Sequence, residues 1–221
     1  MTIEKNLINI NKVIEGKEAE LIAVSKTRTI EEMESVYRLG IKHFGENKVQ
    51  DFTSKYEVFH KDVKWHFIGH LQKNKVKYIV GKVFLIHSLD SIKLLKEIEK
   101  KFSDKNEIAN VLIQVNISKD IKKWGIFVED LDEIIKECEK CKNVKVKGLM
   151  TVIPKGNEES CQQYFSLMEK LFYELGQETY KNIEMKYLSM GMTGDYKYAV
   201  NHGANLIRIG EGIFGKRVYN K

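Results

Sequence analysis

ELIAVSKTRTIEEMESVYRLGIKHFG, residues 20–45, contains the unit from which the rest of the chain is assembled. An apolar run over 21–24 has the length of a buried strand, and it stops at a lone amine, Lys26. Thr29 can cap the segment that follows, where Ile30, Met33, Val36 and Tyr37 recur at helical spacing until Gly40 supplies a stop. IKHFG then reads as another short strand. Strand, polar turn, helix, glycine and strand in that order make the βα unit of a parallel sheet.

The unit repeats in both directions. Upstream, IEKNLININKVIEG predicts a helix at about 2–16, ended by Gly16. Downstream, ENKVQDFTSKYEVF, LQKNKVKYIVG, LDSIKLLKEIEKKF, VEDLDEIIKECEK, ESCQQYFSLMEKLFYELG and MTGDYKYAVNHG read as helices between short apolar runs. The predicted strands lie at 20–25, 42–45, 64–68, 83–86, 110–116, 145–149, 186–190 and 206–209. Eight strand-helix units without a hairpin signal favour a closed α/β TIM (β/α)8 barrel over an open doubly wound sheet. No compositional break divides the chain, so 1–221 is expected to form one domain.

Bulk properties exclude several classes. No apolar run approaches the length of a membrane helix, and MTIEKNLINI is polar where a signal peptide is greasy, so a soluble cytoplasmic protein without membrane contact is expected. The formal charge is +6, yet the lysines alternate with acids, as in KLLKEIEKKF, in the manner of a solvated helix face. Without interleaved aromatics or arginine forks this is no nucleic-acid stripe. The CEKC spacing at Cys138 and Cys141 falls at a helix C-terminus, where the dipole disfavours a thiolate, and zinc would need two more ligands; reduced thiols are expected for these and Cys161.

A barrel carries its chemistry on the loops that follow the strands. Here those positions begin at Ser25, Gly45, Gly69, His87, Asn116, Met150, Met190 and Gly210, and they include Lys26, Asn47, Thr193 and Glu211. GEGIFG at 210–215 matches the dinucleotide fingerprint but lacks the βαβ unit and the acid further on. Its glycines still permit close approach of backbone N–H groups. With Thr193 and Gly194 in the preceding loop they form a candidate phosphate cradle. Alternation along NLIRIG turns Arg208 into the barrel, where it needs either a carboxylate partner or a ligand. The first and eighth strands are neighbours in a closed barrel, so Lys26 is expected at the level of Arg208. A cation nearby favours the neutral amine that condenses with an aldehyde. Lysine, arginine and phosphate loops together suit a phosphorylated aldehyde: pyridoxal 5'-phosphate or a sugar phosphate of a Schiff-base aldolase.

AVSKT (23–27), HFGENKVQ (43–50), WHFIGHLQKNK (65–75), NVLIQVNIS (110–118) followed by Lys123 and Gly125, KGLMTV (147–152), YLSMGMTGDYKYAV (187–200) and IRIGEGIFG (207–215) closely resemble the pyridoxal-phosphate homeostasis protein family, itself similar to the N-terminal barrel domain of alanine racemase. The resemblance runs from about 20 to 217. It implies pyridoxal 5'-phosphate as cofactor, an aldimine on Lys26, and Arg208 against the pyridine nitrogen. It further implies phosphate contacts from Thr193, Gly210 and Glu211, with Asn47, His66 and Met190 as pocket neighbours. Glu211 departs from the Thr or Ser usual after RIG, so altered phosphate affinity is expected.

The same resemblance implies a monomer that binds the cofactor for homeostasis, with apo pyridoxal-phosphate enzymes as partners and no catalytic residues. A racemase of this type uses a tyrosine from a second domain that this chain lacks, and an unprotonated pyridine is a weak electron sink. The alternative reading is a pyridoxal-phosphate-dependent amino-acid racemase or related enzyme.

Overall fold

The structure, a computed structural model, describes residues 2–216. In chain order its elements are α1 (Ile3–Ile14), β1 (Glu20–Val24), α2 (Ile30–Arg38), β2 (His43–Glu46), α3 (Val49–Val58), β3 (Lys64–Phe67), a 3-10 segment (Lys73–Tyr78) and β4 (Leu85–Leu89). The second half contributes α4 (Ile92–Ser103), β5 (Ala109–Gln114), α5 (Leu131–Glu139), β6 (Val144–Met150), α6 (Glu158–Gly176), β7 (Ile183–Ser189), α7 (Tyr196–Asn201), β8 (Leu206–Ile209) and α8 (Glu211–Phe214). Every strand pairs in parallel with its sequence neighbours, and β8 closes on β1 with Leu21 opposite Ile207 and Ile22 opposite Arg208. The expected (β/α)8 barrel is the observed one.

Local signals explain the elements. Thr29 and Glu32 form a reciprocal capping box on α2, with Thr29 Oγ1 accepting from Glu32 N (3.2 Å) and Glu32 Oε2 accepting from Thr29 N (2.8 Å). Such a cap stabilises a helix start by about 0.5–2 kcal/mol. The segment read as a helix in LQKNKVKYIVG is instead the 3-10 segment, where Val76 and Ile79 face the core at a spacing of three that suits the tighter turn. β4 occupies Leu85–Leu89 rather than 83–86, which moves His87 and Ser88 from a loop into the strand.

Two apolar layers result. Most of the core lies between barrel and helices, whereas Ile22, Leu85, Leu112, Met150 and Leu206 form a separate cluster packed with Phe84 and Tyr187. Because Ile22 and Leu206 share the inward face with Arg208, this second cluster fills the barrel interior. Cys138 and Cys141 are buried at the end of α5, and burial pushes the Cys138 thiol upward and the Cys141 thiol up to about 11. These are inert thiols, as expected. No helix among the described residues is long and apolar enough to cross a membrane, and no group of three or more His, Cys, Asp or Glu among them is placed to hold a metal.

The β6–β7 register shifts between Val146 and Gly148. Gly148 sits at φ 133°, and a Cβ there would fall 2.0 Å from the Tyr187 carbonyl oxygen. Gly148→Ala is therefore expected to lose about 1–3 kcal/mol or more. Gly194→Ala, which meets nothing within 4 Å, is expected to stay within about 0.5 kcal/mol of wild type. Urea unfolding followed by circular dichroism compares the two.

Candidate functional site

Lys26 leaves β1 through a turn over 25–28 closed by Arg28 N donating to Ser25 O (2.9 Å). Thr27 in that turn has a φ of 65°, a conformation costly for a β-branched residue. Beneath it, Lys55 Nζ donates to Ser25 O (2.7 Å) and to Glu46 Oε1 (2.7 Å), and Ser25 Oγ donates to the same carboxylate oxygen (2.7 Å). The peptide entering Lys26 is thus clamped by a buried ion pair between α3 and β2. Glu46 Oε2 has no hydrogen-bond partner among the described residues, and burial holds the Glu46 carboxyl above its usual range against the opposing pull of Lys55.

Arg208 lies inside the barrel at 4% exposure. Its register partner on β1 is Ile22, four residues before Lys26, so the arginine sits deeper than the expected common level and the lysine rises above it at the rim. Arg208 Nη1 donates to Ser189 Oγ (2.5 Å) and Nη2 donates to Thr151 O (2.8 Å). Both acceptors are neutral. Burial pulls the guanidinium down to about 10, so it remains a cation at neutral pH, and the nearest opposing influence is the field of Asp195. Asp195 accepts from Met192 N (2.5 Å), and burial raises its carboxyl despite Arg208 and Lys123.

The loops after β7 and β8 meet above Arg208. Gly212 N donates to Thr193 Oγ1 (3.1 Å), and a Cβ at Gly212 would come within 2.7 Å of Ile209 and 3.3 Å of the Thr193 methyl. Gly210 is the N-cap of α8, and a Cβ there would lie 3.4 Å from Val24 O at the end of β1. Glu211 is exposed, as is Thr193. Asn6 Nδ2 donates to Ile213 O (2.9 Å) and Arg28 Nη2 to Gly215 O (2.5 Å), so α1 and the first βα loop hold α8 in place.

The loops after β2, β3 and β5 are pinned separately. Asn47 is half-buried and lines a cleft of about 220 Å³ with Lys48, Gln50, His70, Gln72 and Lys75; a Cβ at Gly69 would lie 2.2 Å from its carbonyl oxygen. His70 Nδ1 lies 2.8 Å from Asp90 Oδ2, and its ring stacks on Trp124 at 3.7 Å. After β5, Asn116 Nδ2 donates to Asp120 O (2.9 Å) and Lys123 O (3.2 Å), folding that loop back so that Lys123 Nζ reaches Val152 O (3.4 Å).

The structure therefore places Lys26, Thr193, Gly210 and Glu211 just past the ends of β1, β7 and β8, at the rim above Arg208 in β8, and Asn47 just past the end of the neighbouring β2. Two expected pocket neighbours are buried away from the rim. Met190 is fully buried among the residues packed between barrel and helices, because Ser189 takes the inward position on β7. His66 is also fully buried, within the barrel rather than at its mouth, where its Nδ1 lies 2.9 Å from His87 Nε2 and its Nε2 lies 2.9 Å from His43 Nδ1. Ser189, Lys55 and Asp195 are not singled out in the sequence, and His87 is read there only as a loop residue. Strand alternation in MKYLSM marks Ser189 as an inward partner for Arg208; Lys55 has no local signal.

This geometry coincides with known proteins. Residues 1–218 match the family model described as alanine racemase, N-terminal domain, which places the chain in the class of alanine racemase-type barrels. A pyridoxal phosphate homeostasis protein from Aquifex aeolicus (strain VF5) is 44% identical over 203 residues, covering 91% of this chain and 88% of its own. The solved structure of PipY from Synechococcus elongatus PCC7942 without PLP superposes with a TM-score of 0.89 at 30% identity, and the one with PLP bound with 0.86 at 29%; each covers 97% of this chain and 100% of PipY. The chain belongs to the pyridoxal phosphate homeostasis protein family.

Lys55→Met leaves the Glu46 carboxylate buried without its counter-charge, and a loss of about 3–5 kcal/mol at neutral pH is expected. A carboxyl whose folded pKa is raised stabilises the fold most when protonated. The loss should therefore shrink as pH falls through the raised value. Denaturation midpoints across the acid range measure this, and a pH-independent deficit would contradict it.

Proposed function

We propose that this chain binds pyridoxal 5'-phosphate, holds it covalently through Lys26 Nζ, and serves the homeostasis of that cofactor as a carrier without turnover. The observation that carries the reading is Arg208: a buried cation whose hydrogen bonds go to neutral oxygens, set beneath a rim formed by Lys26 and the joined β7 and β8 loops. The residues fit the group. When bound, pyridoxal phosphate supplies an aldehyde that condenses with amines and a pyridine whose protonation sets its power to draw electrons. Arg208 can only donate hydrogen bonds, so it suits the unprotonated ring nitrogen and disfavours electron withdrawal. Thr193 and the backbone at Gly210 and Glu211 would take the phosphate, with Asn47 beside the ring.

The name shared by relatives such as the Aquifex aeolicus protein, and PLP bound to PipY, support the ligand and the role. Apo enzymes that need the cofactor are the proposed recipients. Three buried free cysteines accord with a reducing compartment and support a cytoplasmic location.

Borohydride reduction of the protein loaded with pyridoxal phosphate, followed by peptide mapping, should place the label on Lys26, and Lys26→Ala should lose both label and the violet absorption of the bound cofactor. A label on another lysine would overturn the assignment. Chiral chromatography after incubation with D- and L-alanine should show no interconversion; turnover lost with Lys26 would support the racemase instead. Relieving the carboxylate beside the phosphate loop with Glu211→Thr should tighten binding about two- to fivefold at low salt and less at high salt.

A further inference from the structure

Five polar side chains form one continuous hydrogen-bonded line across the barrel interior. His43 Nδ1 lies 2.9 Å from His66 Nε2, His66 Nδ1 lies 2.9 Å from His87 Nε2, and His87 Nδ1 lies 3.0 Å from Ser189 Oγ, which receives Arg208 Nη1 at 2.5 Å. At the far end His43 Nε2 faces Glu20 Oε2 at 3.5 Å, at the start of β1. His66, His87 and Ser189 are completely buried. Leaving three imidazoles in a core otherwise filled by aliphatic side chains is expensive unless each polar atom is satisfied.

The direction of every bond in the line follows from its ends. A guanidinium only donates, so Ser189 Oγ accepts from Arg208 and has one proton of its own. Given to His87 Nδ1, that proton makes Nδ1 an acceptor and places the His87 hydrogen on Nε2. His87 then donates to His66 Nδ1 and His66 donates from Nε2 to His43 Nδ1, which leaves the His43 hydrogen on Nε2, facing the Glu20 carboxylate 3.5 Å away. All links are satisfied by neutral rings of one tautomer. A second proton on His66 or His87 would set two N–H groups face to face.

We propose that His43, His66 and His87 form a tautomer-locked relay that positions Arg208, fixing Ser189 as an acceptor and so orienting the guanidinium toward the ligand. The inference rests on the cofactor reading above. These histidines are positioning residues that act through Ser189. Burial, together with the fields of Lys64 at one end and Arg208 at the other, also disfavours protonation of His66 and His87.

Nitrogen-15 NMR of histidine-labelled protein without cofactor tests the tautomers directly. His66 and His87 should both be neutral with the hydrogen on Nε2 across neutral pH, and an Nδ1–H tautomer or a charged ring at either would overturn the relay. Titration with pyridoxal phosphate tests the consequence. His87→Phe should weaken binding about tenfold or more and shift the absorption maximum of the bound cofactor, as expected for a disturbed hydrogen bond to a charged group. His87→Gln, which keeps one donor and one acceptor, should restore most of both. If His87→Phe does not fold, Ser189→Ala breaks the same link with little change of volume and should give the same loss. Wild-type affinity and absorption in a folded variant lacking the link would reduce the line to core structure and reject the positioning role. Failure of the wild-type protein to take up pyridoxal phosphate would instead remove the ligand assignment, and with it the relay's part in binding, while the tautomers would still report whether the line is locked.

Discussion

A guanidinium enclosed within a barrel sets the terms for much of this structure. Arg208 cannot shed its proton at neutral pH and has no carboxylate among its described hydrogen-bond acceptors. Its position is tolerable because a hydroxyl and a backbone carbonyl are delivered to it by β7 and by the end of β6. Ser189 must therefore face inward, and that forces Met190 outward into the helix layer. The same alternation aligns His87 and His66 with Ser189 and divides the barrel interior into an apolar plug and a polar seam.

Closure of β8 on β1 is what turns these strands into a site. It sets residues near the two ends of the chain against each other, with Ile22 opposite Arg208 and Gly210 packed on Val24. A short α8 has too few residues to hold itself in place. Asn6 from α1 and Arg28 from the first loop tie down its carbonyls, and the Arg28 guanidinium lies 5.2 Å from the Phe214 ring. The N-terminal helix is thus part of the site's support although none of its residues reaches the mouth.

The strands were legible because apolar runs and glycine stops recur with a regular spacing, and Thr29 announces α2 without tertiary help. The positions of Lys26, Thr193 and the glycines after β8 were legible because each follows a strand in a fold that displays such positions on one rim, and that of Arg208 because alternation along NLIRIG turns it inward. The burial of Met190 and His66 was not legible for a common reason: proximity to a motif says nothing about which face a side chain takes, and in a strand one residue reverses it. Lys55 shows the limit from the other side. Its role depends on α3 packing across the end of β1, and nothing in VQDFTSKYEV distinguishes it from a solvated helix lysine.

A tether and a catalyst place different demands on the same lysine. Catalysis by proton abstraction needs an amine free to move between its ligand and a substrate, with a second acid or base opposite. Here the backbone around Lys26 is held by Lys55, Glu46 and a turn that keeps Thr27 at positive φ, so conformational freedom is withdrawn from the residue's main chain. Below it, Arg208 is oriented as a donor, which suits recognition of a ring nitrogen more than activation of the ring. On the function proposed above, both features would favour holding a reactive aldehyde in a fixed orientation. A covalent link made by an amine is also open to displacement by another amine, so a rigid tether of this kind can retain its ligand in isolation and still surrender it to a recipient that supplies a competing lysine.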